Sequence, residues 1–305
     1  MWTRDFIFWL SKKKAVTDPI ARTGMRLGFA RRFIAGETLE DGLRVAAELN
    51  QKDLHVSMNQ LGENVSSREE AETACASYEQ SLRLLHERQL NGNISIKLTQ
   101  LGLKSAPALC QELVERLVRH AAQFDNFVEV DMEDSATTQP TIDLFAAVRR
   151  KHENIGLAVQ ASLYRSAHDL ERLRPLRPKI RLVKGAYREP ASLAFPRKAQ
   201  VDANYRKLLV ELFENGFFPA VATHDEALIA FTQQLVTRKG FDPTRFEFQM
   251  ILGVRRDLQL ALAAQRYRVR IYIPFGREWL PYFMRRLAER PANLTFVLKS
   301  LLRER

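Results

Sequence analysis

Short apolar or β-branched runs alternate with charge-rich amphipathic segments along most of the chain, and this alternation narrows the fold more than any other feature. The runs are "LHVSMNQLG" (54–62), "NISIKLTQ" (93–100), "FVEVDMED" (127–134), "GLAVQAS" (156–162), "IRLVKGA" (180–186), "FPAVATH" (218–224), "FEFQMILGV" (246–254) and "RVRIYIPFG" (268–276). Helical segments follow them over about 66–90, 104–123, 138–152, 165–174, 197–215, 225–239, 255–266 and 279–290, with a last helix expected over 293–303. Strands separated by helices of this length pair in parallel through right-handed crossovers. Eight such units in roughly 250 residues are the arithmetic of an α/β fold of the (β/α)8, TIM-like barrel type. The rival is an open doubly wound sheet, which ordinarily carries a Gly-rich turn after its first strand; no G-x-G-x-x-G occurs here. Residues 1–50 read as an N-terminal helical arm of two helices broken near Gly36, and 51–305 as the barrel domain.

Composition bounds the rest. With 305 residues, 46% hydrophobic and 27% charged, the chain can bury a large core. No run of about 18 apolar residues marks a transmembrane helix. The net charge of +11 suits nucleic acid, an anionic membrane surface or acidic ligands. No nucleic-acid module accompanies it, and the lysines and arginines spread over many helices, so nucleic-acid binding is not expected. Cys75 and Cys110 show no CxxC spacing and read as free thiols in a reducing cytosol. The opening "MWTRDFIFWLSKKK" is interrupted by Asp5 and has no small-residue cleavage site, so it is not read as a secretory signal. As a helix it gathers Trp2, Phe6 and Trp9 beside Lys12, Lys13 and Lys14. That arrangement suits a membrane interface, or an arm packed on its own domain or a neighbour.

In barrels of this kind the chemistry sits at the C-terminal ends of the strands. Read in order, those ends supply Asn59 and Glu63; Lys97; Asp131, Glu133 and Asp134; Gln160; Arg181, Lys184, Gly185, Ala186 and Tyr187; Thr223 and His224; Gln249; and Tyr272 and Gly276. A helix carrying Arg285, Arg286 and Glu289 and stopped by Pro291 follows. Burying Lys97 and Arg181 costs several kcal/mol each, roughly, unless partners exist, and Asp131 is the candidate partner. A mouth with Lys97, Arg181, Lys184, Arg285 and Arg286 against few acids expects an anionic guest, a carboxylate or phosphate. Asp131 and Glu133 share a strand face that a divalent metal could use, but no HxH or HExxH spacing supports a metal site. A Schiff base on Lys97 or Lys184, in an aldolase-like barrel enzyme acting on a carboxylate substrate, stays open at this point. No elbow motif supports Ser/His/Asp catalysis.

Taken together, "NISIKLTQLGL", "GLAVQASLYRS", "RLVKGAYREP", "VATHD", "FEFQMILGV" and "IYIPFGREWLPYFMRRLAERPANL" resemble the proline dehydrogenase family, in its monofunctional bacterial form. The resemblance runs in order from about Asp18 to the end; the arginine helix and "RLVKGAY" are its most specific blocks. It implies a distorted (β/α)8 barrel whose last helix sits over the mouth. It further implies non-covalent FAD at the strand C-termini, and oxidation of L-proline to Δ1-pyrroline-5-carboxylate by hydride transfer from proline C5 to flavin N5. Electrons would pass to a membrane quinone, from a cytoplasmic protein compatible with peripheral docking on the inner face of the plasma membrane.

The same resemblance distributes roles. Arg285 and Arg286 would clamp the substrate carboxylate, Lys97 would add a third positive charge, and Glu289 would brace the arginines from one helical turn away. Tyr272 and Tyr282 would pack on the pyrrolidine ring, and Ile251 stands where the family usually has Leu. Arg181 would face the flavin N5, with Asp131 beside it and beside Lys97. Met132, Gln160, Thr223, His224 and Gln249 would be further flavin contacts. Lys184, Gly185 and Ala186 would form the turn at the pyrophosphate, where glycine allows close backbone approach. Arg188 follows where some members carry an aromatic residue on the adenine side. Glu63 would pair with Arg285 to gate the pocket.

Overall fold

A computed structural model describes residues 30–187 and 189–289, with 285–289 described by backbone alone. The expected eight strands all form: β1 His55–Gln60, β2 Gly92–Ile96, β3 Val128–Val130, β4 Ile155–Gln160, β5 Lys179–Val183, β6 Phe218–Ala222, β7 Glu247–Ile251 and β8 Val269–Phe275. They pair in parallel in sequence order, and β8 closes on β1 from His55↔Arg270 to Gln60↔Phe275. The helices between them are α2 Arg68–Glu87, α3 Pro107–Ala122, α4 Ser135–Arg149, α5 Ser166–Leu173, α6 Lys198–Glu214, α7 Glu226–Lys239 and α8 Arg256–Ala264; α1 Leu39–Asn50 precedes the barrel and α9 Trp279–Glu289 follows it.

Alternation within each strand separates two environments. Val56, Met58, Ile94, Ile96, Val128, Val130, Leu157, Ile180, Leu182, Phe248, Met250 and Ile271 are buried in the apolar layer shared with the helices. Most of the intervening positions are polar, glycine and alanine filling others in β4 and β6: Ser57, Asn59, Asn93, Ser95, Glu129, Gln160, Arg181, Glu247, Gln249 and Arg270 are all buried too. Barrels usually fill their interior with layers of branched apolar side chains. This one fills it with ion pairs.

Side-chain caps set where helices begin. Thr38 and Asp41 form a reciprocal capping box on α1, and Ser67 and Glu70 do the same on α2. Asp134, one of the acids read at the end of β3, accepts from the Thr137 N–H and caps α4. The helix therefore starts at Ser135, three residues before the expected 138. The segment before α1 also differs from the expectation. Ala30–Arg32 is a single 3-10 turn, and the chain then runs extended, with the Ala35 N–H donating to the Pro274 carbonyl and the Gly276 N–H to that of Gly36, both at 2.9 Å. The rest of the expected N-terminal arm and the expected helix over 293–303 lie outside the described residues.

α9 lies at the C-terminal end of the barrel. Its Trp279, Leu280, Tyr282, Phe283 and Met284 bury a small apolar cluster with Ala30, Phe33, Ile34 and Leu61, against which Val254 and Tyr272 pack. Leu61 and Val254 lie just past the C-terminal ends of β1 and β7, and Tyr272 lies within β8, so this helix rests over the mouth. Cys75 and Cys110 are buried free thiols, each pushed up to about 12 by burial. No helix among the described residues is long and apolar enough to cross a membrane.

Candidate active site

At the mouth, four side chains from three strands, β2, β5 and β8, converge on one carboxylate. Asp131 follows β3; its Oδ2 lies 3.2 Å from Lys97 Nζ and accepts a 2.8 Å hydrogen bond from the Tyr272 hydroxyl. Its Oδ1 accepts from Ser95 Oγ at 2.8 Å and pairs with Arg181 Nη1. Tyr272 stacks under the Arg181 guanidinium, whose Cζ is 5.4 Å from the ring centroid. Lys97 and Arg181 are only 5% and 4% exposed, so Asp131 is what makes their burial tolerable.

The titration of these groups follows from that arrangement. Burial alone would push the Asp131 carboxyl up, but Lys97, Arg181 and the hydrogen bonds from Tyr272 and Ser95 hold it below its ordinary range. Burial would push the Lys97 ammonium down; Asp131 overrides it, with smaller contributions from neighbours including Glu63, and holds it above the usual lysine value. Burial and the adjacent Asp131 charge raise the Tyr272 phenol well above its normal value. At neutral pH the mouth therefore holds an ammonium, a guanidinium, a carboxylate and a neutral phenol.

Arg181 is held on every nitrogen. Nε donates to Gln249 Oε1 at 2.6 Å, Nη1 donates to Ser95 Oγ at 2.8 Å, and Nη2 donates to Ser57 Oγ at 3.2 Å. Nη2 also lies 3.0 Å from Glu129 Oε2. Ala158 and Ala220 are its register partners on the flanking strands, and their small side chains leave room for the guanidinium. Below this layer, Glu247 takes Lys179 Nζ at 2.7 Å and Arg270 Nε at 2.9 Å on the same oxygen. Glu129, Glu247, Arg270 and Lys179 are not among the candidates at the C-terminal strand ends, because Glu129 is central in β3 and the other three lie at the N-terminal ends of their strands. Their signal was a charge at alternate positions in "VEVD", "FEFQ", "VRIY" and "KIRL".

The other candidates are distributed as follows. Met132 is buried, and Gln160 is buried with Nε2 donating 2.9 Å to the Glu133 carbonyl. Glu133 turns away from Asp131: it accepts from the Thr99 N–H at 3.0 Å and hydroxyl at 2.6 Å, so the two acids do not converge on a common metal position. Lys184 is ion-paired to Asp202 at 2.5 Å and Asp225 at 2.7 Å. Gly185 takes φ +116°, and a Cβ there would stand 2.2 Å from Ser162 Oγ; Ala186 is half-buried beside it. Thr223 is buried and its Oγ1 accepts from the Asp225 N–H at 3.1 Å; His224 Nε2 accepts from the Ile251 N–H at 2.9 Å. Gln249 is buried inside the barrel, holding Arg181. Glu63 is half-buried in the loop after β1, and Tyr282 is buried in α9. Helical spacing puts positions 285, 286 and 289 on the same face of α9 as Tyr282; the side chains of Arg285, Arg286 and Glu289, and all of Arg188, lie outside the described residues.

A closed parallel barrel with a desolvated constellation of paired charges toward its C-terminal mouth has the architecture of a (β/α)8 enzyme. The chain belongs to the proline dehydrogenase family: the family model described as "Proline dehydrogenase" matches residues 43–299. It is 40% identical over 301 residues to "Proline dehydrogenase 1" of Bacillus subtilis (strain 168), covering 99% of both chains. It is 37% identical over 291 residues to "Proline dehydrogenase" of Deinococcus radiodurans, covering 94% of both. Among solved structures, proline utilization A from Bdellovibrio bacteriovorus, inactivated by N-propargylglycine, superposes with a TM-score of 0.80 at 23% identity, over 85% of this chain and 32% of that one. That likeness speaks to the fold.

Proposed function

We propose that this chain oxidises L-proline to Δ1-pyrroline-5-carboxylate, an oxidation at a CH–NH bond, with FAD as hydride acceptor and a membrane quinone as the final electron acceptor. The observation that carries this reading is the buried Lys97–Asp131–Arg181–Tyr272 constellation at the mouth, in a chain of this family.

Three features fit a flavin at the strand ends. Arg181 is a fixed buried cation of the kind that favours negative charge on a reduced ring. The Gly185 turn takes a conformation that L side chains rarely adopt, and it leaves no space for a Cβ. The Asn59 amide donates through Nδ2 to the Ser95 carbonyl at 2.9 Å, which fixes its orientation and leaves a buried Oδ1 acceptor without a hydrogen bond among the described residues. Arg181, Met132, Gln160, Thr223, His224 and the turn Lys184–Gly185–Ala186 would hold the group. Because Asp202 and Asp225 already neutralise Lys184, a pyrophosphate at this turn would rely more on backbone than on a free ammonium. Bound there, FAD supplies a two-electron acceptor.

The protein's own work is positioning. Arg285, Arg286 and Lys97 would hold the carboxylate, Glu289 would brace the arginines, and Tyr272, Tyr282 and Ile251 would wall the ring. Lys97 is held protonated, which suits carboxylate binding and not Schiff-base formation, for which a neutral amine is needed. Purified protein should be yellow and should bleach when L-proline is added without oxygen. The rate should rise with pH as proline's amine loses its proton. A colourless chain that takes up no flavin would refute the reading.

Two further outcomes are expected. Gly185→Ala should cost about 1–3 kcal/mol of stability from backbone strain alone, read as a shifted denaturation midpoint with weaker flavin retention. An unchanged midpoint would show that the turn does not demand glycine. A protein that passes electrons to a membrane quinone would dock peripherally on the inner face of the plasma membrane, and the aromatic and lysine residues within 1–14 make that stretch the candidate docking segment. Deleting them should weaken liposome binding, and undiminished binding would remove that segment from the proposal.

A further inference from the structure

Beneath the mouth lies a second carboxylate with no role in the reading above. Glu129 sits in the middle of β3 and is 0% exposed. Its Oε2 lies 3.0 Å from Arg181 Nη2 and accepts from Gln249 Nε2 at 3.2 Å. The same Gln249 nitrogen donates to Glu247 Oε1 at 2.7 Å, while Gln249 Oε1 accepts from Arg181 Nε at 2.6 Å. Both amide hydrogens of Gln249 are thus directed at carboxylates, so its oxygen has to face the guanidinium. Asp131 holds one end of the guanidinium from the mouth side, and Glu129 and Gln249 hold the other end and the Nε edge from the interior side.

We propose that Glu129 is a positioning residue for the redox reaction: from inside the barrel it fixes the plane of the Arg181 guanidinium and offsets part of its charge, and so lowers the reduction potential of the flavin held above it. This deepens the proposed function and rests on it. The physical reason is that Arg181 has two carboxylate neighbours in a dry interior, where Coulomb interactions are weakly screened. A ring that gains negative charge on reduction responds to the sum of these charges. With Asp131 alone opposing it, Arg181 would favour the reduced ring more strongly. With Glu129 added, the reduced ring is less favoured, and its electrons pass on to an acceptor more readily. The floor cluster of Glu247, Lys179 and Arg270 holds Gln249 from below and thereby completes the support.

The geometry also offers a clean test. Glu129 Oε1 has no hydrogen bond among the described residues. Glu129→Gln can therefore keep its remaining oxygen on Arg181 and Gln249 and place its amide nitrogen where no bond is lost. The substitution removes the charge while keeping the shape. The experiment is a dye-equilibrated redox titration of the flavin bound to the wild type, Glu129→Gln and Glu129→Asp, with thermal unfolding followed in parallel. Glu129→Gln should shift the equilibrium about tenfold toward reduced flavin, equivalent to about +30 mV for a two-electron couple. Glu129→Asp keeps the charge but draws it back from Arg181, and should shift the equilibrium the same way by about threefold. Lower melting temperatures with an unmoved potential in whichever variants fold would make Glu129 a purely structural residue and overturn the proposal. If Glu129→Gln yields no folded protein, the Asp variant decides alone. A wild type that binds no flavin would instead refute the underlying functional reading.

Discussion

Replacing Asp131 with alanine is expected to lower the unfolding free energy by about 3–5 kcal/mol and to abolish proline turnover. The size follows from what is left behind: Lys97 at 5% and Arg181 at 4% exposure, both losing the carboxylate that compensates their desolvation. Denaturant titration monitored by circular dichroism would measure the first effect. The pH dependence carries the sign. The Asp131 pKa is depressed in the folded state, so its contribution is present above the ordinary carboxylate range and is lost as pH falls through the folded value. The Lys97 pKa is raised, so its contribution is complete below the ordinary lysine value and is lost as pH climbs through the folded one. Between those limits the pair is fully charged. Asp131→Ala should therefore flatten the acid limb of the stability curve, and an acid limb as steep as the wild type's would show that another carboxylate dominates it.

The second large effect concerns α9. Arg285→Met and Arg286→Met are each expected to raise the KM for proline by roughly 30-fold or more, since the proposed clamp would lose a charge-assisted partner of the substrate carboxylate, a loss of at least about 2 kcal/mol where such a pair is desolvated. Flavin content should stay at the wild-type level in both. An unaltered KM in either variant would remove that arginine from the carboxylate clamp. Glu63→Ala belongs in the same series. Glu63 is half-buried and its charge reaches Lys97, which would put it near the carboxylate end of a substrate held as proposed. If it closes the pocket with Arg285, its loss should raise KM and speed product release, and neither change would mean that no such gate operates.

The strand pattern was legible because a parallel barrel imposes one requirement locally: every strand must present an apolar edge to its own helix. "NISI", "FVEV" and "IRLV" each carry β-branched or leucine residues at alternate positions, and these are the residues found under the helices. Position along the chain then placed Lys97, Asp131, Arg181 and Tyr272 at strand ends before any contact was known. α4 begins earlier than its periodicity predicts because Asp134, a strand-end acid by position, serves as its cap, and capping depends on a local contact that spacing does not show. The extended segment after Ala30–Arg32 was missed because its hydrogen bonds reach Pro274 and Gly276, more than two hundred residues away.

The sequence by itself therefore determined the eightfold α/β order, the family and the set of polar strand ends, since each depends on spacing or on local periodicity. Only the tertiary structure decided which of those groups neutralise one another. It paired Lys97 and Arg181 with Asp131, committed Lys184 to Asp202 and Asp225, turned Glu133 toward Thr99 and drew Glu129 and Glu247 into the barrel interior. Charge compensation acts through space, here between groups about 3 Å apart, and is strong in a medium of low polarity; closure of the barrel brings together partners that the chain holds far apart.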